Sequence, residues 1–394
     1  MMLQAQGSLA ESVDGDELRS EDGFPGERPC LNYYCLYLYQ TGSLSLSVAD
    51  SDDGSPAGAM GEMSSNEDFS LSLVDTSLPA ESEPELKGFI AKWLSRGALF
   101  EGMGNVSPVE LSFPEYSLGC YYCLLRQDQA CESSNQPPEY VVCFLGGSEK
   151  GLDSHGTSGT FRLELDKYAA VLKTKLDPQM INLEVEIKPL LSNWFGDSVL
   201  PIYRVVTLFQ EKLAYLLHAA LSYTPVEVNN ADPGTQNDIN RFMSLASLQG
   251  LVQEGTMNSL CIVMSDELQK PVHVDFSDSQ PQFINAVSNK FCEDWMQVFI
   301  NTYDGGNPFL FRQKLENFKL KVIQDMNSLK RLIRQAEMSH YALFRCYTFL
   351  KNCGNGDLLL KFVKVEQAEM PESGSVVSVL EEFILEEGSA VHNS

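Results

Sequence analysis

Basic residues are scarce in the first part of this sequence, and the scarcity excludes a class of partner. Across residues 1–86, Arg19 and Arg28 stand alone against 17 acidic side chains. The whole 394-residue chain carries 28 Lys and Arg against 54 Asp and Glu, a formal charge of −26. A surface of that sign repels phosphate backbones, so nucleic-acid binding by the chain as a whole is not expected. Long apolar runs are missing too. The richest stretch, Ile202 to Leu221, is interrupted by Arg204, Glu211, Lys212 and His218, and reads as a buried amphipathic helix rather than a membrane span. Met1 to Glu17 has neither a basic start nor an apolar segment, so no signal peptide is expected.

Catalytic signatures are equally thin. Only five histidines are present, and the nucleophile-elbow pattern Gly-x-Ser-x-Gly does not occur. Cys120-Tyr-Tyr-Cys123 has the spacing of half a zinc site, but it lies in a strand-like run, where positions three apart face opposite sides of a sheet, and a second ligand pair is lacking. Gly146-Gly-Ser-Glu-Lys-Gly151 follows a strand as a phosphate loop would. Leu152 stands where such a loop needs lysine, so the segment reads as a tight turn. His273, Asp275 and Asp278 are close in sequence without forming a known motif. His218 falls within an apolar helix and reads as a hydrogen-bonded core residue. No metal, cofactor or catalytic residue is therefore expected.

What is present is globular: 43% hydrophobic and 10% aromatic residues, with ten cysteines spread along the chain. Cys143, Cys261 and Cys346 sit inside apolar runs, which fits reduced, buried thiols in the cytosol. Residues 1–30 read as a disordered acidic tail and residues 41–67 as a mobile acidic insertion. Ser51, Ser64 and Ser65 lie in Ser/acid clusters there and are candidate phosphorylation sites, where added charge would strengthen the negative field. Strands are expected at Asn32 to Tyr39 and Phe69 to Val74, a helix at Pro84 to Arg96 stopped by Gly97, three strands between Ala98 and Leu145, and helices at Phe161 to Lys175 and Met180 to Trp194. That order matches a longin-like antiparallel sheet backed by helices, placed at residues 31–196.

Residues 197–388 read as a second, mostly helical α+β domain, and 389–394 as a disordered tail. Helices are expected at Pro201 to Leu221, Asp238 to Gln253, Phe283 to Phe299 and Val376 to Glu387, and strands at Leu260 to Ser265, Val272 to Phe276 and Leu358 to Val365. A very long helical pattern covers Asn307 to Asn352, with a break near Ser339. From Arg312 to Lys351 it holds nine bases and three acids, a net of +6 in an acidic protein. Leu315, Phe318, Val322, Met326, Leu329, Ile333 and Ala336 form its apolar stripe. The charge outside that stripe has three readings: a solvated face paired with the chain's own acidic tail, a docking face for an acidic partner protein, or a contact with anionic lipid head groups, where each base contributes about 1 kcal/mol. Lys314, Lys319, Lys321, Lys330, Arg331 and Arg334 are the candidate partner- or lipid-binding residues.

Several blocks are distinctive enough to carry a resemblance: Phe69 to Pro79, Pro84 to Gly97, Glu139 to Gly151, Leu216 to Val228, Phe291 to Gln297, Gly306 to Gln313 and Arg334 to Phe344. In that order they resemble the vertebrate Njmu-R-one family over nearly the full chain, least well in the acidic first eighty residues and from Gln127 to Pro138. The resemblance implies a non-catalytic subunit of a cytosolic vesicle-tethering assembly, the WDR-eleven complex, with a WD-repeat propeller protein and a FAM-ninety-one protein as partners. It also implies a golgin-linked adaptor, capture of endosome-derived vesicles at the trans-Golgi network, peripheral attachment there and on cytoplasmic vesicles, and a link to spermatogenesis. It carries no binding residue over. A peripheral lipid-binding protein and an enzyme of unknown class are the alternative expectations.

Overall fold

The first core is built on strands that are apolar on both faces. In the computed structural model, which describes residues 31–41, 69–97, 101–112, 117–126, 138–147, 158–176, 183–249, 270–278, 280–302, 307–366 and 374–391, β1 (Asn32–Thr41), β2 (Phe69–Thr76), β3 (Asn105–Glu110), β4 (Ser117–Arg126) and β5 (Glu139–Gly146) form one antiparallel sheet ordered β2-β1-β5-β4-β3. On the three central strands Tyr34, Leu36, Tyr121, Cys123, Leu125, Tyr140, Val142 and Phe144 face one way. Cys35, Tyr37, Cys120, Tyr122, Leu124, Val141, Cys143 and Leu145 face the other. The period-two alternation of a strand therefore places apolar groups on both sides. Helix α1 (Glu83–Ser95) covers the second face with Leu86 and Ile90, and ends where Gly97 adopts φ 63°. Helices α2 (Ser158–Lys175) and α3 (Lys188–Ser198), the latter entered through a π-helical turn at Leu183–Ile187, cover the first face with Leu165, Leu172, Leu191 and Trp194. The fold class is α+β with the expected antiparallel longin-like order.

The second half is mostly helical: α4 (Leu200–Phe209), α5 (Leu213–Ser222), α6 (Pro233–Ala246), α7 (Lys290–Thr302), α8 (Pro308–Ala336), α9 (His340–Cys353), α10 (Gly356–Glu366) and α11 (Gly374–Val391). A small sheet ordered β6-β7-β8 joins them, from β6 (Val226–Asn229), β7 (Val272–Asp275) and β8 (Gln282–Ile284), with β6 parallel and β8 antiparallel to β7.

Several expectations need correction here. Pro201 to Leu221 is two helices, because Gln210 turns to φ 47° and a 3₁₀ turn separates them. Leu358 to Val365 is helical: Leu358, Leu359, Leu360, Phe362 and Val363 are buried, while Lys361 and Lys364 share a face three residues apart. Phe283 pairs in β8, so the following helix begins at Lys290 rather than Phe283. The helix expected at Asp238 starts earlier, at Pro233 behind the Asp232 cap, and ends at Ala246. The expected strand Leu260 to Ser265 lies outside the described residues. The division expected at 196/197 falls inside α3, whose trailing Val199 still packs in the first core, while α11 runs past 388 to Val391.

The two halves interlock. Phe309, in the first turn of α8, inserts into the first core, with its ring 5.4 Å from Phe195 and 6.3 Å from Trp194. Burying that ring contributes about 1.5–3 kcal/mol. Gly146 makes room for it, since a Cβ there would stand 2.4 Å from Phe309 Cζ.

Candidate functional site

Helix α8 begins with a side-chain cap and ends in a tight turn. Asn307 Oδ1 accepts from the Phe309 N–H at 3.0 Å, and Pro308 opens the helix. All seven residues of the expected stripe, from Leu315 to Ala336, are buried. The bases divide into two groups. Near the start of the helix, Arg312 is buried against Glu164 of α2 and 3.4 Å from Glu316. Lys319 is buried beside them, and burial, then the nearby Arg312 charge, push its ammonium down to about 8 against the pull of Glu316 and Glu164. Burial also raises the Glu164 carboxyl, opposed by Arg312.

Lys319 therefore leaves the candidate contact surface. It stands four residues after Leu315 and three before Val322, on the flank of the apolar stripe, and the packing of α2 encloses it. Lys314 is half-buried, and Lys321 pairs with Asp325 at 2.6 Å. Lys330 is half-buried, while Arg331 and Arg334 are exposed in the last turns of α8. The outward-facing positive charge is thus concentrated toward the C-terminal end of the helix.

That end carries a feature that the charge pattern alone did not identify. The break expected near Ser339 exists: Glu337, Met338 and Ser339 turn the chain and α9 runs back as a helical hairpin. Met338 is 89% exposed, Tyr341 71% and Phe344 62%. Ala342, Cys346 and Leu350 form the inward stripe of α9, so Tyr341 and Phe344, three residues apart, share the outward face with Arg345. Three large apolar side chains and the exposed Arg331, Arg334 and Arg345, with the exposed Glu337 in the same turn, thus lie toward one end of the hairpin. Exposed Tyr, Phe, Met and Arg together are the composition of protein-binding anchors. The signal was present in the sequence: once the helix breaks at Ser339, Tyr341 and Phe344 fall off the apolar register.

The remaining candidate chemistry is placed as follows. Cys120 and Cys123 face opposite sides of the sheet, one in each packed layer. Among the described residues no group of three or more His, Cys, Asp or Glu is positioned to hold a metal ion. His273 Nδ1 lies 3.1 Å from Glu227 Oε2, and Asp275 bonds Asn230 and Ser277, which hold its carboxyl below the usual range. His218, on α5, is largely enclosed, with Nε2 3.9 Å from Asp357 Oδ2. Ser51, Ser64 and Ser65, the acidic insertion and residues 148–151 of the glycine-rich turn lie outside the described residues. No helix among the described residues is long and apolar enough to cross a membrane.

The chain matches the model of the Njmu-R1-like protein family over residues 34–386. It is 58% identical over 393 residues to Protein Njmu-R1 of Mus musculus, an alignment covering 96% of this chain and 98% of that one. No solved structure matches.

Proposed function

The chain belongs to the Njmu-R1-like protein family, and from that premise we propose that it is a non-catalytic subunit of a cytosolic complex that captures or tethers endosome-derived vesicles at the trans-Golgi network, with a role in spermatogenesis. Its partners in this reading are a WD-repeat propeller protein and a FAM-ninety-one protein, with a golgin-linked adaptor beyond them. The chain acts peripherally, at the trans-Golgi network and on cytoplasmic vesicles. The observation that supports a docking role is the hairpin end, where Met338, Tyr341 and Phe344 stand exposed among arginines. Charge steers the encounter there, and the aromatic side chains supply the apolar area that a partner covers.

The test is a Tyr341→Glu/Phe344→Glu double variant expressed in cells. Co-precipitation of the two named partners should fall at least tenfold while the melting temperature stays within about 2 °C of wild type, as surface substitutions leave stability nearly unchanged. Undiminished capture by the folded variant overturns the docking role of the hairpin. A second reading is favoured by the same residues, because Tyr beside Arg also suits a membrane interface. Flotation with liposomes containing anionic lipid separates the two: a membrane contact floats the wild-type protein and not the variant, whereas a protein-only contact floats neither.

A further inference from the structure

The first sheet has two edges, and they differ. At one, β3 is six residues long and carries Pro108, which has no N–H to offer a further strand. At the other, β2 is eight residues long and contains neither a proline nor a basic side chain. Among the described residues its one strand neighbour is β1, and Ser70, Ser72 and Leu73 are exposed along it.

The register shows which backbone groups of β2 point outward. Leu31 lies one step beyond the Asn32–Gly146 pair of the β1–β5 ladder, and its carbonyl accepts from the Gly147 N–H at 3.3 Å. Hydrogen-bonded pairs alternate along an antiparallel ladder, so the odd-numbered residues of β1 bond β5, and Leu38 and Gln40 turn their amides toward β2. Their partners there are Ser72 and Ser70. The N–H and C=O groups of Phe69, Leu71 and Leu73 therefore point away from the sheet. On the face that α1 covers, Leu71 is buried, whereas Leu73, opposite Tyr37, is 44% exposed.

We propose that β2 takes up an extended, basic segment of a partner protein as a sixth strand. Main-chain hydrogen bonds to Phe69, Leu71 and Leu73 would hold it, and every second side chain, apolar and β-branched, would cover Phe69 and Leu73. Charge selects the occupant. The one charged side chain on β2 is Asp75, and residues 42–68, which lead into the strand, hold six acids and no base. A second copy of the chain would bring two such acidic flanks together, whereas lysines or arginines between the apolar positions of a partner strand meet charge of the opposite sign. The edge is separate from the hairpin and does not depend on the proposed tethering role.

The probe is a fluorescein-labelled peptide, Lys-Val-Thr-Val-Lys-Val-Thr-Val-Lys, titrated with the full chain and read by anisotropy, with hydrogen exchange locating the contact. Wild type should bind it saturably, and amide exchange at Leu71 and Leu73 should slow. A copy N-methylated along its backbone keeps the charge and loses the donors, and a copy with Glu in place of Lys keeps the donors and reverses the charge; neither should saturate. Leu73→Pro removes one outward N–H and should weaken binding about threefold to tenfold, the worth of one hydrogen bond. Leu73→Lys leaves the backbone unchanged and should weaken binding as well, by repelling a basic strand. Circular dichroism shows that both variants are folded. Absence of saturable binding to wild type overturns the proposal, as does equal binding of the N-methylated copy or undiminished binding to the folded Leu73→Lys variant. Slow exchange at Leu71 and Leu73 before peptide is added also overturns it, since this chain or a second copy then already occupies the edge.

Discussion

At the scale of single residues, two of the contacts that join the halves each make a prediction. Phe309 occupies space that exists because Gly146 has no side chain. Gly146→Ala forces the ring against Trp194 and Phe195 and should destabilise the protein by about 1–3 kcal/mol, read as a lower urea midpoint. Arg312 is flanked by Glu164 and Glu316, both largely enclosed. Arg312→Ala leaves Glu164 and Glu316 with Lys319 as the buried cation beside them and should cost about 3–5 kcal/mol. Lys319 adds a pH dependence of known sign. Its folded value of about 8 lies below the ordinary 10.5, so the unfolded chain binds more protons between those limits. The penalty is full below pH 8 and fades as pH rises to 10.5. Urea midpoints of wild type should therefore gain on those of Lys319→Met across that window, by up to about 3 kcal/mol in stability, and a constant difference would refute the assignment.

At the scale of elements, what could be read depended on how far each pattern repeats. The five strands of the first sheet were legible because aromatic and β-branched runs such as Tyr140 to Leu145 stand between turn signals, here Pro137-Pro138 and Gly146-Gly147. Strands β6 and β8, of four and three residues, are too short to show alternation, and their pairing with β7 is a tertiary event. Leu358 to Val365 misled because an apolar run of eight fits strand or helix equally, and only the Lys361–Lys364 spacing separates them. The break between α4 and α5 has no Gly or Pro to announce it. Gln210 takes φ 47° and ψ −120° there, a region that disfavours side chains. Gln210→Gly should accordingly stabilise the protein by about 1 kcal/mol, measured as a raised urea midpoint, despite losing the Gln210 Nε2 donation to the Thr207 carbonyl. The basic helix was legible as an element, but the side each base takes was only partly so. Arg312 and Lys319 flank the apolar stripe, and the partner that buries them, Glu164 on α2, lies far away in sequence.

At the scale of the whole molecule, the thiols set a limit. All seven described cysteines are free, and six of them have pKa values raised chiefly by burial: Cys123 and Cys346 to about 11, Cys35 to about 12, and Cys143, Cys292 and Cys353 also upward. A thiol whose folded value is raised contributes stability that is complete below its unfolded value and lost as pH climbs toward the folded one. The urea midpoint should fall steadily from about pH 9 to pH 11, against the smaller rise due to Lys319, and thiol-specific alkylation should accelerate in step with unfolding. A midpoint that is flat over this range would mean that the thiols ionise in place.

The long helix α8 has one end in each core. Its 29 residues span about 43 Å, with Phe309 and Arg312 fixed in the first core and Arg331, Arg334 and the exposed aromatic turn at the far end. A force applied to that turn runs along the helix axis, where the backbone is stiffest, into the Phe309 and Arg312 anchorage. The protein is thus built as a strut: a load at the hairpin meets the interlock between the two cores before it can peel one helix from its neighbours.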